Sequence, residues 1–289
     1  MKITPVCPAC LINRARIEAE MVTEDKEVVY KAVEEALKVL SRRFPERGIN
    51  AIIATEMHRK VYEIIGCDDP YAEVKRSANE LVMKHLPEIK AIFEKEGRFN
   101  RFKASVIASI IGNTFDYGVM GHEVSRDFMS YFSESFMKGL KIDDTDKIRE
   151  LCRGKVVYLT DNAGEIVLDT LLMKEIKKIC ERLTVVVRGR PILSDATIED
   201  AKLCGVDRIA DEILTNGKGA IGIIPEELPD ITMERIESAD IIVAKGMANY
   251  ECLSDSDYSN VAFLLTAKCK PVAEDIGVDV GDMVAMLKG

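Results

Sequence analysis

The spacing of apolar residues changes once along this chain, near residue 150, and that change limits the possible folds more than any single motif. From about residue 9 to 150, stretches such as "VYKAVEEALKVL" and "YAEVKRSANELVMKHLPEIKAIF" repeat Val, Leu and Ile every three or four positions, with charged residues between them. That is the period of amphipathic helices. After "RGK" at 153–155 the pattern becomes short β-branched runs, "KVVYL", "LTVVV", "DIIVA" and "NVAFLLT", separated by helical stretches. In the first of those stretches Leu172, Met173, Ile176, Ile179 and Cys180 form one apolar face. Strands alternating with helices indicate a parallel sheet covered by helices. The expected fold is α/β: a mostly helical region over 1–150, then a Rossmann-like α/β/α three-layer core with a mostly parallel sheet over 151–289. No repeat, low-complexity tract or Gly/Ser linker divides the two, so the boundary reads as a change of texture within one body. In the helical half, "FPERGIN" and "CDDPY" are breakers, and Asp69 before Pro70 reads as an N-cap with proline at the first helical position.

Composition removes several function classes. A chain of 289 residues that is 47% hydrophobic buries a large core. Its net charge of -9 argues against a nucleic-acid backbone or an anionic membrane as partner, since like charges repel. No apolar run approaches the roughly 20 residues of a membrane helix, and "MKITPVCPAC" lacks the layout of a signal peptide. A cytoplasmic protein is expected. There, the eight cysteines would stay mostly as thiols. Only Cys7 and Cys10 pair by spacing. They would need distant ligands to complete a zinc site, and as a redox pair they lack the usual preceding strand. Two buried thiols at a helix start is the third reading.

In open parallel sheets ligands bind beyond the carboxyl ends of the strands. "KVVYLT" runs into Asp161-Asn162, "LTVVV" into Arg188-Gly189-Arg190-Pro191 with Asp195 shortly after, and "DIIVA" into Lys245-Gly246. Two carboxylates and an amide oxygen are hard donors suited to a divalent cation that leaves positions for water and phosphate oxygens. Lys245 would complement an anionic substrate. Glu165, in the first turn of the next helix, would orient a water or complement the helix dipole, and backbone N–H groups after Gly164 would receive oxyanions. Asp, Asn and Gly are also ordinary turn residues, and Arg188 and Arg190 could clamp phosphate, although arginines flanking a strand exit are more often solvated. His58, His85 and His122 lack metal-ligand spacing and receive no catalytic role.

"LTDNAGE", "VVRGRPILSDAT" and "IVAKGMANYE", with "DPYAEVK" and "IIGNTFDYG" in the helical half, together resemble the damage-control phosphatases, metal-dependent enzymes long catalogued as a domain of unknown function. The resemblance spans most of the chain in order, and Cys7-x-x-Cys10 resembles the mark of one subfamily. It implies that Asp161, Asn162 and Asp195 are metal ligands for Mn²⁺ or Ni²⁺, with Co²⁺ or Mg²⁺ as other candidates. It further implies that Lys245 meets the phosphate and that Asn113 and Asp116 line the pocket. The implied reaction is hydrolysis of phosphate monoesters of small metabolites, such as sugar phosphates, by metal-activated water. An aspartyl-phosphate on Asp161, as in haloacid dehalogenase-like enzymes, would need a second Asp two residues on, where this chain has Ala163. Two other classes are weighed: an S-adenosylmethionine-dependent carboxyl methyltransferase, disfavoured because "TDNAGE" lacks the glycine-rich turn, and a non-enzymatic metal-binding protein.

Overall fold

A computed structural model describes residues 1–114 and 128–288. Helices α1 (Cys7–Val22), α2 (Lys26–Arg43), α3 (Asn50–Ile65), α4 (Ala72–Glu96), α5 (Arg101–Thr114) and α6 (Phe128–Lys138) come first, followed by strand β1 (Ile142–Asp143) and α7 (Thr145–Leu151). The alternating part then runs β2 (Lys155–Leu159), α8 (Glu165–Lys177), β3 (Arg182–Val187), α9 (Ile198–Leu203), β4 (Glu212–Thr215), α10 (Asp230–Glu237), β5 (Ile241–Lys245), α11 (Gly246–Leu253), β6 (Val261–Thr266), α12 (Lys270–Ile276) and β7 (Met283–Lys288). One seven-stranded sheet has the order β1-β7-β6-β5-β2-β3-β4. Every pairing is parallel except β6 with β7.

Period-two alternation assigns side chains to the two faces. Val156, Tyr158, Val185 and Val243 face a core built with Val82, Ile107, Phe132 and Leu168 from α4, α5, α6 and α8. Val157, Leu159, Val186 and Ala244 face the opposite core, which includes Ala15, Ala36 and Met57 of α1, α2 and α3. This is the expected three-layer α/β/α arrangement. The helical region contributes helices to both outer layers, alongside helices of the alternating part such as α8. Three details differ from expectation. The first 150 residues contain strand β1 as well as helices. Helix α4 starts at Ala72 with Tyr71 as its N-cap, because the Asp69 carboxylate is instead 2.7 Å from the Lys75 ammonium. Ile179 and Cys180 lie beyond the end of α8 at Lys177. No described helix is long and apolar enough to cross a membrane.

Candidate active site

The strand exits bring three predicted side chains to one place. After β2 the chain passes through Asp161 and Asn162, and Gly164 at φ +75° turns it into α8, a conformation costly for residues with a Cβ. After β3 the loop from Arg188 to Thr197 folds back over this crossing. Asn162 and Asp195 form an isolated antiparallel bridge. The Ala196 N–H donates to the Asp161 carbonyl at 2.7 Å, and the Ala163 N–H to the Ser194 carbonyl at 2.8 Å. Backbone pairing thus fixes Asp161, Asn162 and Asp195 side by side, each at most 7% exposed.

Their electrostatics are those of buried, crowded carboxylates. Burial, then the neighbouring Asp195 and Glu165 carboxylates, push the Asp161 carboxyl well above the usual range for an aspartic acid. Arg188 opposes this. Its Nε donates to Asp195 Oδ2 at 2.5 Å and one terminal nitrogen stands 3.6 Å from Asp161 Oδ1. Arg188 is 1% exposed, so it is part of the site rather than a solvated flank. Both of its terminal nitrogens lack a hydrogen-bond acceptor among the described residues. The Asn162 amide is oriented from two sides: Nδ2 donates to Asp161 Oδ2 at 2.9 Å and Glu165 Oε2 at 3.2 Å, while Oδ1 accepts from Ser194 Oγ at 2.8 Å. Two buried carboxylates beside an amide oxygen that retains a free lone pair make a hard donor set, and their mutual repulsion is what a divalent ion relieves. The residues fit such an ion.

Lys245 and Glu165 sit deeper than expected. Both are wholly buried. The Lys245 ammonium donates to Glu165 Oε1, to Asp169 Oδ1 at 2.7 Å and to the Ser109 carbonyl at 3.0 Å, which uses its three hydrogens. Burial works against its charge, but Asp169 and Glu165 outweigh burial and raise its pKa. Asp169, itself pushed up to about 7 by burial against the pull of Lys245, also accepts from the Tyr158 hydroxyl at 2.8 Å. Lys245 therefore supports the site from below through Glu165 and Asn162. Its predicted contact with phosphate is replaced by this internal network, because a buried ammonium must find acceptors within the fold.

A cavity of about 170 Å³ opens over Asp161, Asn162 and Asp195. Its walls include Lys268, from the segment following β6, Arg14 of α1, Asn50 and His58 of α3, and Glu251 of α11. Lys268 and Arg14 are both half-buried cations at the cavity, and the Lys268 charge acts on Asp161. It follows the end of β6 just as Lys245 ends β5, so the strand-exit rule that selected Lys245 applies to it equally. The Asn50 side-chain amide donates to both Glu251 carboxylate oxygens at 3.1 Å.

The remaining predictions distribute as follows. Asn113 belongs to the last turn of α5, beside Gly112, where an added Cβ would stand 3.1 Å from the Glu165 Cα. Helices α5 and α8 therefore meet at the level of the site. The Asn113 side chain and Asp116 lie outside the described residues. Cys10 lines the cavity, and Cys7, with its sulfur 3.2 Å from the Thr4 hydroxyl, opens α1. Both are free thiols. Among the described residues, no third His, Cys, Asp or Glu joins Cys7 and Cys10 in a metal-holding group.

Comparison with known proteins agrees along the whole chain. Residues 3–284 match the model of the damage-control phosphatase ARMT1-like domain. A damage-control phosphatase of Archaeoglobus fulgidus is 62% identical over 286 residues, covering 99% of each chain. One from Pyrococcus horikoshii is 32% identical over 291 residues, covering 99% of this chain and 98% of its own. A solved structure of a DUF89 family protein from Pyrococcus horikoshii superimposes with a TM-score of 0.90 at 30% identity, covering 100% of both chains.

Proposed function

The chain belongs to the damage-control phosphatases with the ARMT1-like domain, and from that premise we propose that it is a metal-dependent phosphoric monoester hydrolase acting on small metabolites, sugar phosphates foremost. Asp161, Asn162 and Asp195 hold the ion, Mn²⁺ or Ni²⁺ by preference and Co²⁺ or Mg²⁺ otherwise. The observation that carries this reading is the cavity floor, where two buried carboxylates and an oriented amide converge beside the ammonium of Lys268 and the guanidinium of Arg14.

A divalent ion bound there supplies Lewis-acid chemistry, lowering the pKa of a water and offsetting phosphoryl charge. The protein's own groups do the rest. Ser194 and Glu165 fix the Asn162 amide, Arg188 fixes Asp195, and Lys268 with Arg14 draws phosphate oxygens toward the floor. Leu193, Ile221 and Met247 line the cavity with apolar surface that limits water. Ala163, two residues after Asp161, offers no acid or base for an aspartyl-phosphate route, so direct attack by water is preferred.

The test is hydrolysis of p-nitrophenyl phosphate by metal-stripped protein with Mn²⁺, Ni²⁺, Co²⁺ or Mg²⁺ restored. Turnover that returns with an added ion supports the proposal. A folded protein that turns over nothing with any of the four contradicts it and favours a non-enzymatic metal-binding role.

A further inference from the structure

We infer that His58, held by Glu18, is the general acid that protonates the leaving alcohol. This deepens the phosphatase reading above and rests on it.

The observation is a carboxylate–imidazole pair at the wall of the active cavity. Glu18 of α1 and His58 of α3 are 0% and 1% exposed, and His58 Nδ1 lies 2.8 Å from Glu18 Oε2. The second Glu18 oxygen accepts from the Tyr71 hydroxyl at 3.3 Å. Helices α1 and α3 pack together and Tyr71 caps α4, so three elements fix the orientation of one ring. Such a carboxylate holds Nδ1 as the donor and balances the charge of an imidazolium. With Nδ1 committed, Nε2 is the polar atom left for the cavity that His58 shares with Asp161, Asn162 and Asp195. The metal-binding side chains enter from the strand exits, whereas His58 enters from the helical layer. One cavity of about 170 Å³ is thus lined both by the three strand-exit side chains and by His58.

The chemistry needs a proton at that point. An alkoxide is a poor leaving group, and a positioned acid typically contributes about 10²–10⁴-fold. As water oxygen bonds to phosphorus, the bond to the ester oxygen breaks and its electron pair moves onto that oxygen. The Nε2 proton passes to it, releasing neutral alcohol. The proton shed by the attacking water restores the imidazolium, so the cycle consumes one water and leaves one phosphate and one alcohol. A network kept only to bury Glu18 between helices would support folding without regard to the leaving group.

The experiment compares His58→Asn, His58→Gln and Glu18→Gln with wild type, all loaded with Mn²⁺, on p-nitrophenyl phosphate and on glycerol phosphate and hexose phosphates. The aryl ester departs without an acid and the alkyl esters do not. For the His58 variants kcat/KM is expected to fall about 100-fold or more on the alkyl esters and less than about fivefold on the aryl ester, with Glu18→Gln shifting in the same direction. The ratio of the two substrates is independent of how much variant protein folds. An unchanged ratio overturns the assignment, as does a wild type that hydrolyses only the aryl ester. Wild type inactive on every ester with every ion removes the phosphatase reading itself, a distinguishable result.

Discussion

Arg188 Nε donates to Asp195 Oδ2 at 2.5 Å while the same guanidinium stands 3.6 Å from Asp161 Oδ1, so one buried cation faces both carboxylates of the proposed metal site. Losing it would leave the two buried carboxylates opposed without their hydrogen-bonded counter-charge, and breaking a buried pair costs roughly 3–5 kcal/mol. Arg188→Met is therefore expected to lower the unfolding free energy of metal-free protein by that order. Mn²⁺ at saturation should recover part of the loss, because a cation between the carboxylates substitutes for the guanidinium. Urea denaturation with and without Mn²⁺ measures both quantities, and an equal deficit in the two conditions would contradict this role.

The two lysines at strand exits should separate by phenotype. Lys268 lines the cavity, and Lys268→Met is expected to raise KM for phosphate esters about 10–100-fold, the scale of one charge-assisted contact of about 1.5–3 kcal/mol, with little change in stability. Lys245→Met would strand Glu165 and Asp169 in the core, and a loss of about 3–5 kcal/mol is expected. Steady-state kinetics beside thermal unfolding tests the pair, and the crossed pattern would reverse the assignment.

Glu251 sets a pH dependence. Burial pushes its carboxyl from 4.5 up to about 7, against hydrogen bonds from Asn50. The folded chain then keeps a proton that the unfolded chain has lost, so between about pH 4.5 and 7 this group makes stability fall as pH rises. The total is about 3 kcal/mol at about 1.4 kcal/mol per unit. In Glu251→Gln that contribution should vanish, making the variant's stability decline less steeply than wild type's across the window. Parallel curves from denaturation at stepped pH would show that the carboxyl titrates normally.

Strands β2, β3, β5 and β6 are legible in the sequence because both faces of each are buried and their runs are almost wholly apolar. The missed strands blur that signal. Edge strand β4, "EILT", is only half-buried along its length, β1 spans two residues, and antiparallel β7 carries methionines in place of β-branched residues. Asp161, Asn162 and Asp195 are legible as a group because the strand-exit rule acts locally on each. The burial of Lys245 is not, since its partners Glu165 and Asp169 lie 80 and 76 residues away and a lysine ending a strand looks the same whether it meets ligand or core. The Glu18–His58 pair, 40 residues apart on two helices, is hidden for the same reason. Lys268 was within reach of the rule that selected Lys245.

The central claim is that the strand-end carboxylates hold a divalent ion. Calorimetric titration of metal-stripped protein with Mn²⁺, run beside Asp161→Asn and Asp195→Asn, tests it most directly. The account predicts a saturable site of one ion per chain in wild type, lost or weakened at least about 100-fold in both variants, each folded. Removing one of two repelling carboxylates should also leave the metal-free Asp161→Asn protein at least as stable as wild type. Wild-type affinity that survives in both variants would place the ion elsewhere and contradict the account.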